Sequence, residues 1–581
     1  MKKNLLAVLI IISNVVAQAQ LFYNKGASIY SNPGSIIKIQ GSFSNNLSGN
    51  LNNNGLMVID SSYINNKTAI STGNGIYDVY VNWVNSGTFK RDTSTVNLKG
   101  TIQLIKGDSV TRFYNLNLLG IGVKKQELNS EVNNKLNLSI NELATQQDTM
   151  FLKNGNTSSL LGSFAFGSEG FISNLDTGAF VRLTNSNNSY YYPMGNNSGT
   201  SLFRPIEITP NGSNLNEYAV SFYNFNATVK TYSVNSKAPE LCLVNNKFFH
   251  QVGRLVGNTS IDLNVGYLKN VDGNFNTIGN WKSVNTEWND ITNVTYTNTI
   301  GSYDANKRLN WSNFSNLPYS LASSKPVINS VNGNTLVCNG ASINYSVNLN
   351  PSFNYDWSVT GGIFNNNDST SNSVNVSYLG FGTHTLQLLV TDLSSNCVSD
   401  AFTEAITVGQ GPTAGFTTTT SGGLYQSNSP INILDQSINA TGWNYDFGNN
   451  STNTNQNTST IYYTPGEFTI TQIVSDSFGC TDTLRAIIKI ETIDDMPNVF
   501  SPNNDGTNDI FEFNCNGCVD YTIDITNRWG SLVYTGNKGS AFWDGTNGTG
   551  EALSDGTYFY ILKLKYKETE KIKKGFIQLI K

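Results

Sequence analysis

Oxygen-bearing residues near the C-terminus are spaced as calcium ligands around a tight turn. The segment reads Asn503-x-Asp505-Gly506-x-x-Asp509, and a calcium loop needs such a glycine at its bend. The segment lacks the bidentate glutamate that closes an EF-hand, and an ordinary Asp-Gly turn has the same pattern. Calcium is therefore the only cofactor that the sequence suggests, with a plain turn as the alternative. The tripeptide Asp272-Gly273-Asn274 is interpreted as a turn.

Carboxylates are the second group that could do chemistry, because glycoside cleavage needs only two of them. The acids of the first 200 residues form no Asp-Asp pair and no cluster at a repeated spacing, so scattered surface carboxylates explain them better. The two histidines, His250 and His384, are too few for zinc sites built from several imidazoles, and they disfavour a histidine-dependent triad. We therefore predict no catalytic residue and no enzyme. The acids considered are Asp60, Asp78, Asp92, Glu127, Glu131 and Asp176.

Six cysteines suggest an oxidising destination. Cys338 and Cys397 lie near the two ends of a domain-sized β segment, and we predict that they pair. Cys515 and Cys518 form C-x-x-C without a βαβ context, which favours a small structural disulfide over a redox site. The remaining two, Cys242 and Cys480, are predicted to be buried thiols.

The composition indicates a secreted all-β protein of several domains. The chain has 581 residues, of which 13% are charged and 85 are asparagine, and such a length corresponds to roughly three to six domains. A net charge of −5 disfavours a nucleic-acid partner, which would require clustered lysine and arginine. Lys2 and Lys3 precede the apolar run Leu5 to Ile12, and Ala17-Gln18-Ala19 follows. This order predicts a signal peptide over residues 1–19.

Residues 20–200 contain a weak internal repeat. Ser42-Phe43-Ser44-Asn45-Asn46 recurs twenty residues later as Ser62-Tyr63-Ile64-Asn65-Asn66, and Leu116-Asn117-Leu118 recurs as Leu136-Asn137-Leu138. A fixed period with Asn/Gly corners is typical of a β-solenoid, in which stacked asparagines can pair between coils. A plain β-sandwich is the alternative.

Residues 201–325 lose that period and have longer strands, which predicts a β-sandwich domain. Trp281, Trp288 and Trp311 are scattered through it. They could form a sugar-stacking platform, but we favour packing in the core.

Two segments of similar length follow, 326–409 and 410–492. The second contains Gly442-Trp443-Asn444-Tyr445-Asp446-Phe447-Gly448 and then Tyr463-Thr464-Pro465-Gly466. This segment resembles the PKD domain, an immunoglobulin-like sandwich, and the first segment is a looser relative of it. Independently of the family, we expect Trp357 and Trp443 to fill the two sandwich cores.

Residues 493–581 carry the most specific pattern. They contain Pro497-Asn498-Val499-Phe500-Ser501-Pro502 before the calcium-like loop, followed by Asn527-Arg528-Trp529-Gly530, Trp543-Asp544-Gly545 and Asp555-Gly556-Thr557-Tyr558. Their order and spacing resemble the gliding-motility-associated C-terminal domain, the type B sorting domain of type IX secretion. The residues that match the sorting motif are Asn503, Asp505, Gly506, Asn508, Asp509, Asn527, Arg528, Trp529, Gly530, Trp543, Asp555, Gly556 and Tyr558.

The resemblance implies export through the periplasm to the cell surface or the medium. It implies the type IX translocon and a small outer-membrane β-barrel protein as partners; a glycan or another surface ligand is a further candidate. The function that we expect is an adhesin-like or structural surface protein. The alternatives are a carbohydrate-active enzyme or a carbohydrate-binding protein with its site in the N-terminal half.

Lysines dominate the last twenty residues, including Lys563, Lys565, Lys567, Lys571 and Lys574. They predict a basic hairpin that could be steered to an acidic receptor. Lysines that protect an edge strand from aggregation would give the same pattern.

Overall fold

The computed structural model describes residues 20–198, 203–314, 317–366, 368–419, 425–491, 496–513, 515, 518–540, 542–565 and 570–581. The predicted signal peptide lies outside these residues. Strands make up nearly all of the regular structure, as the composition indicated. Two compact units are present. The first takes in the chain as far as Ile328 with Asn350–Asn354 and Leu389–Asp400, and the second holds the remainder.

Among its described residues, the first unit contains thirty-two complete strands, two 3₁₀ helices (Thr157–Ser159 and Ala227–Lys230) and one helical turn, α1 (Lys269–Asp272). The strands are β1 (Gln20–Lys25), β2 (Ser28–Ser31), β3 (Ile36–Ile39), β4 (Gly41–Asn46), β5 (Asn50–Asn53), β6 (Leu56–Ile59), β7 (Tyr63–Asn65), β8 (Ile70–Thr72), β9 (Ile76–Val79), β10 (Trp83–Asn85), β11 (Thr88–Phe89), β12 (Thr95–Leu98), β13 (Gln103–Lys106), β14 (Thr111–Leu118), β15 (Val123–Gln126), β16 (Ser130–Asn137), β17 (Glu142–Ala144), β18 (Thr149–Leu152), β19 (Leu160–Leu161), β20 (Phe171–Ser173), β21 (Ala179–Thr184), β22 (Tyr190–Tyr192), β23 (Ile206–Pro210), β24 (Asn216–Tyr223), β25 (Leu241–Val244), β26 (Phe249–Val256), β27 (Ile261–Tyr267), β28 (Thr277–Lys282), β29 (Glu287–Asp290), β30 (Val294–Ile300), β31 (Tyr303–Trp311) and β32 (Pro318–Ser324).

The N-terminal strands form a parallel β-solenoid, which confirms that prediction. Phe43 aligns with Tyr63, and Tyr63 aligns with Trp83, so the twenty-residue period is the length of one coil. Each of the first coils contributes one strand to each of three parallel sheets. Inside, the Tyr63 and Trp83 rings stack with their centroids 4.0 Å apart. The aromatic repeat positions therefore form a continuous column in the core.

A buried asparagine ladder runs beside the aromatic column and consists of Asn24, Asn45, Asn65 and Asn85. The Nδ2 groups of the first three each donate to the Oδ1 of the asparagine in the next coil, over 2.7, 3.2 and 3.0 Å in chain order. All four side chains are buried. The ladder thus satisfies polar groups that would be costly to leave unpaired at a coil corner.

One sheet continues from the solenoid into the region predicted to be a sandwich. It has fifteen strands, and its pairing changes from parallel to antiparallel where β21 meets β24. One hydrophobic cluster likewise extends from Ile39 to Leu321. The solenoid and the sandwich-like region therefore share a sheet and a core.

A buried ion pair lies in the sandwich-like part of this core. Arg204 Nη2 donates to Asp272 Oδ1 over 2.7 Å, Nε lies 2.6 Å from Oδ2, and the two side chains are 2% and 0% exposed. Asp272 Oδ2 also accepts the backbone N–H of Leu268, which begins α1. The Asp272-Gly273-Asn274 segment is therefore not a simple surface turn, because its aspartate neutralises a buried guanidinium.

His250 is packed against the same arginine, and we predict that it makes stability depend on pH. Its Nε2 donates to the Arg204 carbonyl oxygen over 2.9 Å. Burial lowers the pKa of His250 to about 4 from 6.5. Because the unfolded chain takes up this proton at a higher pH, the free energy of unfolding should fall between pH 6.5 and pH 4. The free energy of unfolding, measured by urea titration at several pH values in this range, should depend less steeply on pH for His250→Gln than for the native chain. An equal dependence on pH would contradict the assignment.

The second unit contains most of three small β-modules, and the first module also includes Phe353–Asn354 and Leu389–Asp392 of the first unit. The strands of the three modules are β33 (Leu336–Cys338), β34 (Ser342–Ser346), β35 (Phe353–Val359), β36 (Gly362–Phe364), β37 (Ser373–Tyr378), β38 (Gly382–Asp392), β39 (Phe402–Gly409), β40 (Phe416–Thr419), β41 (Pro430–Asp435), β42 (Gly442–Asp446), β43 (Thr452–Asn453), β44 (Thr458–Ile461), β45 (Gly466–Ser475), β46 (Thr481–Ile490), β47 (Val499–Phe500), β48 (Asp520–Thr526), β49 (Leu532–Asn537), β50 (Gly556–Lys565) and β51 (Glu570–Leu579).

The first two of these modules each have two facing sheets. They consist of β33-β39-β38-β35 with β34-β37-β36, and of β40-β41-β44 with β43-β42-β45-β46. Trp357 is 2% exposed, which confirms its predicted place in a core. Trp443 is only partly buried, with its indole N–H donating to the Ser437 hydroxyl, so its prediction was wrong. Tyr445 and Phe447 fill that core instead, because they point inward from the same segment.

The disulfides correct the predicted pairing of Cys338 with Cys397. Cys242 pairs with Cys397 inside the first unit, and Cys338 pairs with Cys480 inside the second. Neither Cys242 nor Cys480 is a buried thiol. The prediction failed because it assumed that a disulfide closes its own module, whereas both bonds connect segments more than 140 residues apart. Cys515 pairs with Cys518, as expected.

Candidate functional site

The C-terminal module is built on one five-stranded sheet in the order β47-β51-β50-β48-β49. Antiparallel pairing joins all neighbours except β47, which runs parallel to β51. Alternate residues of β50 enter the core, where Tyr558, Tyr560 and Leu562 pack with Trp543 and Phe500. This sheet positions the loops that contain the sorting-motif residues.

The calcium-like loop is organised around the Asp509 carboxylate. Its Oδ1 accepts the backbone N–H groups of Asn503 and Asn504 over 3.1 and 2.7 Å, and its Oδ2 accepts that of Gly506 over 2.7 Å. Asn504, Gly506 and Asn508 adopt left-handed backbone conformations. Asparagine tolerates this conformation, so Asn504 and Asn508 can adopt it without a glycine.

Asp505 helps to hold the same turn. Its Oδ2 accepts from Asn503 Nδ2 over 2.9 Å, and its Oδ1 accepts the backbone N–H of Thr507 over 2.8 Å. These bonds lower the pKa of Asp505, with the Asn503 amide as the larger cause. Among the described residues, no group of three or more His, Cys, Asp or Glu side chains could hold a metal ion. Calcium binding here stays a prediction.

The hairpin between β48 and β49 presents Trp529 at its tip. Asn527 Oδ1 accepts the backbone N–H groups of Trp529 and Ser531, and Gly530 supplies the left-handed residue of the turn. The Trp529 side chain is 78% exposed, and the Arg528 guanidinium lies 5.0 Å from its ring centroid. This segment therefore projects an aromatic ring and a cation into solvent.

The other sorting-motif residues lie in the core or in the turn that leads into β50. Trp543 is buried, with its Nε1 donating to the carbonyl of Thr546 over 2.8 Å. Asp555 is exposed, and Gly556 begins β50 with φ of 151°. The Tyr558 hydroxyl donates to the carbonyl of Ser554 over 2.8 Å. The motif thus divides into turn formers, core residues and one exposed tip.

Sequence reasoning missed the outer face of β50 and β51. Phe559 pairs directly with Phe576, and the two side chains are 48% and 52% exposed. Ile561 and Ile572 lie exposed on the same face, next to Lys574 and Lys563. The sequence did contain a sign of this face. Residues Tyr558 to Leu562 are apolar on both faces of the strand, and only one face can pack into the core. Of the lysines predicted to form the basic hairpin, Lys567 lies outside the described residues.

The acids considered for catalysis mostly hold the fold together. Asp78 pairs with Lys99 over 2.6 Å, Glu131 with Arg112 over 3.1 Å, and Asp60 with Lys38 over 3.8 Å. The other bonded acids are Asp92, which accepts the Gly73 N–H over 2.7 Å, and Asp176, which pairs with Lys230 over 2.9 Å.

Glu127 differs, because it is exposed and lies close to a second carboxyl group. Burial raises the pKa of Asp148, and the negative charge of Glu127 raises it further. Two acids therefore approach each other at this point of the solenoid.

The tryptophans of the sandwich-like region are core residues, as we favoured. Trp281, Trp288 and Trp311 are 6%, 0% and 9% exposed, and the first two pack edge to face. They cannot provide a stacking platform for a sugar.

Family comparisons agree with both resemblances. Residues 494–579 match the CHU_C type IX secretion signal domain, and residues 412–491 match the PKD domain. The C-terminal module is thus a type IX secretion signal domain, which marks the chain for export to the cell surface or the medium. No match is found among the curated proteins. No helix in the described part of the chain is long and apolar enough to span a membrane.

Solved structures give matches at low TM-scores. The PKD1 domain of Vibrio anguillarum Epp is 26% identical over 14% of this chain and 95% of its own, with a TM-score of 0.13. The PKD1 domain of the Vibrio cholerae metalloprotease PrtV is 28% identical over 14% of this chain and 98% of its own, also with 0.13. The fibronectin(III)-like modules of Clostridium thermocellum CbhA are 13% identical over 28% and 93%, with 0.19.

Proposed function

We propose that the protein is an adhesin-like or structural component of the cell surface, exported from the periplasm through its C-terminal domain. The match of residues 494–579 to the type IX secretion signal domain carries the proposal. The type IX translocon is the expected receptor, and a small outer-membrane β-barrel protein is the expected second partner. The passenger is the series of β-modules upstream.

The modules upstream support a structural role over catalysis. Most of the acids that were considered are engaged in ion pairs or backbone hydrogen bonds. Two disulfides connect segments that are distant in sequence, which restricts unfolding of an extracellular chain. We therefore expect the passenger to serve as a spacer or adhesive surface and not as an enzyme.

Deleting residues 496–581 tests the export assignment. We expect the truncated protein to accumulate in the periplasm, because the segment that the translocon would recognise is gone. Cell fractionation and protease accessibility on intact cells measure this, with a resident periplasmic protein as the control for leakage. Resistance of the retained protein to limited proteolysis would show that the passenger still folds. Unchanged surface display of the truncated protein would contradict the proposal.

A further inference from the structure

A groove crosses the outer face of the fifteen-stranded sheet where β18, β21, β24 and β26 lie side by side. Its volume is about 380 Å³, and Phe151 and Leu255 are among its lining residues. The other lining residues include the small side chains of Ala179, Ala219 and Ser221, with Val181 in register between Phe151 and Ala219. Small residues between larger ones leave a depression in a surface that is otherwise filled, so the groove follows directly from the sequence of these strands.

One end of the groove carries a preassembled polar network. Lys230 Nζ lies 2.9 Å from Asp176 Oδ1 and 4.2 Å from the ring centroid of Tyr223. The Tyr223 hydroxyl donates to the backbone oxygen of Asp176 and lies 2.9 Å from Gln251 Oε1. Asp176 within this network and Thr231, which follows Lys230, both adopt left-handed conformations. The fold therefore holds these polar groups in place before any ligand arrives.

The lining indicates the chemistry of the ligand. Two lysines lie at the groove and both are paired: Lys230 with Asp176, and Lys153, whose Nζ is 4.7 Å from the Phe151 ring centroid, with Glu217. The paired charges disfavour a charged ligand. The lining combines hydroxyl and amide groups from Thr149, Thr177 and Gln251 with apolar surface, as in binding sites for small molecules that orient a ligand through a few polar contacts. A ligand that offers both hydroxyl groups and C–H faces matches this surface.

We propose that this groove binds a neutral oligosaccharide. The inference gives the expected surface protein a class of ligand, and it does not rest on the export route. It also differs from the tryptophan platform considered from the sequence, because its apolar contact comes from Phe151 and Leu255. Binding is tested on the purified full-length protein, so the result is independent of the deletion experiment.

Isothermal titration calorimetry of the full chain tests the groove with cellohexaose, xylohexaose, mannohexaose and laminarihexaose. Oligogalacturonate serves as the charged comparison. We expect at least one neutral hexasaccharide to bind. Two variants should weaken its binding at least tenfold: Lys230→Met, which breaks the polar network, and Ala219→Leu, which fills part of the groove.

A matched control is Lys99→Met, which breaks the ion pair with Asp78 on the same sheet, away from the groove. This variant should bind as the native chain does. Circular dichroism of each variant shows whether it is folded. If Lys230→Met does not fold, Ala219→Leu still tests the groove. Three results would overturn the proposal: no binding of any neutral hexasaccharide, binding of oligogalacturonate alone, or equal affinity for native chain and Ala219→Leu.

Discussion

An Asp272→Asn variant should lose about 3–5 kcal/mol of unfolding free energy. The substitution leaves the Arg204 guanidinium uncompensated in a site where its side chain is only 2% exposed. It also weakens the acceptor that holds the backbone N–H of Leu268 at the start of α1. Guanidinium unfolding at neutral pH, followed by tryptophan fluorescence, measures the loss.

A matched control lies at the same helical turn. Lys269 and Asp304 form a partly exposed ion pair at 3.7 Å, and Asp304→Asn should cost no more than about 1 kcal/mol. The double variant Arg204→Met/Asp272→Leu should recover much of the stability, because no buried charge remains. Equal losses for Asp272→Asn and Asp304→Asn would show that the buried charge is not what matters.

The solenoid could be predicted because its information is local and repeated. Phe43 and Tyr63, twenty residues apart in the sequence, are aligned on neighbouring strands of the structure. Asn45 and Asn65, which have the same spacing, are hydrogen-bonded in the ladder. The C-terminal domain could be predicted for a related reason, since its turns depend on short segments. Asp509 anchors backbone N–H groups only three to six residues away.

Long-range contacts could not be predicted in the same way. The role of Asp272 depends on Arg204, 68 residues upstream, and nothing in the Asp-Gly-Asn segment reveals that partner. The cysteine partners depend on which modules pack together, which spacing along the chain does not encode. The exposure of Phe559 and Phe576 could not be predicted for a third reason: the sequence of an apolar strand does not indicate which of its faces remains exposed to solvent.

An Asn65→Leu variant should destabilise the solenoid by about 4 kcal/mol, because leucine keeps the volume but removes every polar contact. Asn65 Nδ2 donates to Asn85 Oδ1 and to the Thr88 carbonyl over 3.0 and 3.2 Å, and its Oδ1 accepts from Asn45 and Ser71. Each buried group left without a partner costs about 1–3 kcal/mol. Denaturant unfolding of the full chain measures the total.

The same substitution at Asn74, an exposed residue at a corner of this region, shows whether the loss of stability comes from the buried ladder or from the loss of any asparagine. Asn74 is exposed and accepts from Thr93 in the next coil, so Asn74→Leu should cost about 1 kcal/mol or less. Hydrogen exchange should also locate the effect, with faster exchange in the coils that contain Asn45 and Asn85, because solenoid coils are stabilised by their neighbours. Equal costs at Asn65 and Asn74 would mean that the buried ladder stabilises the coils no more than an exposed asparagine does.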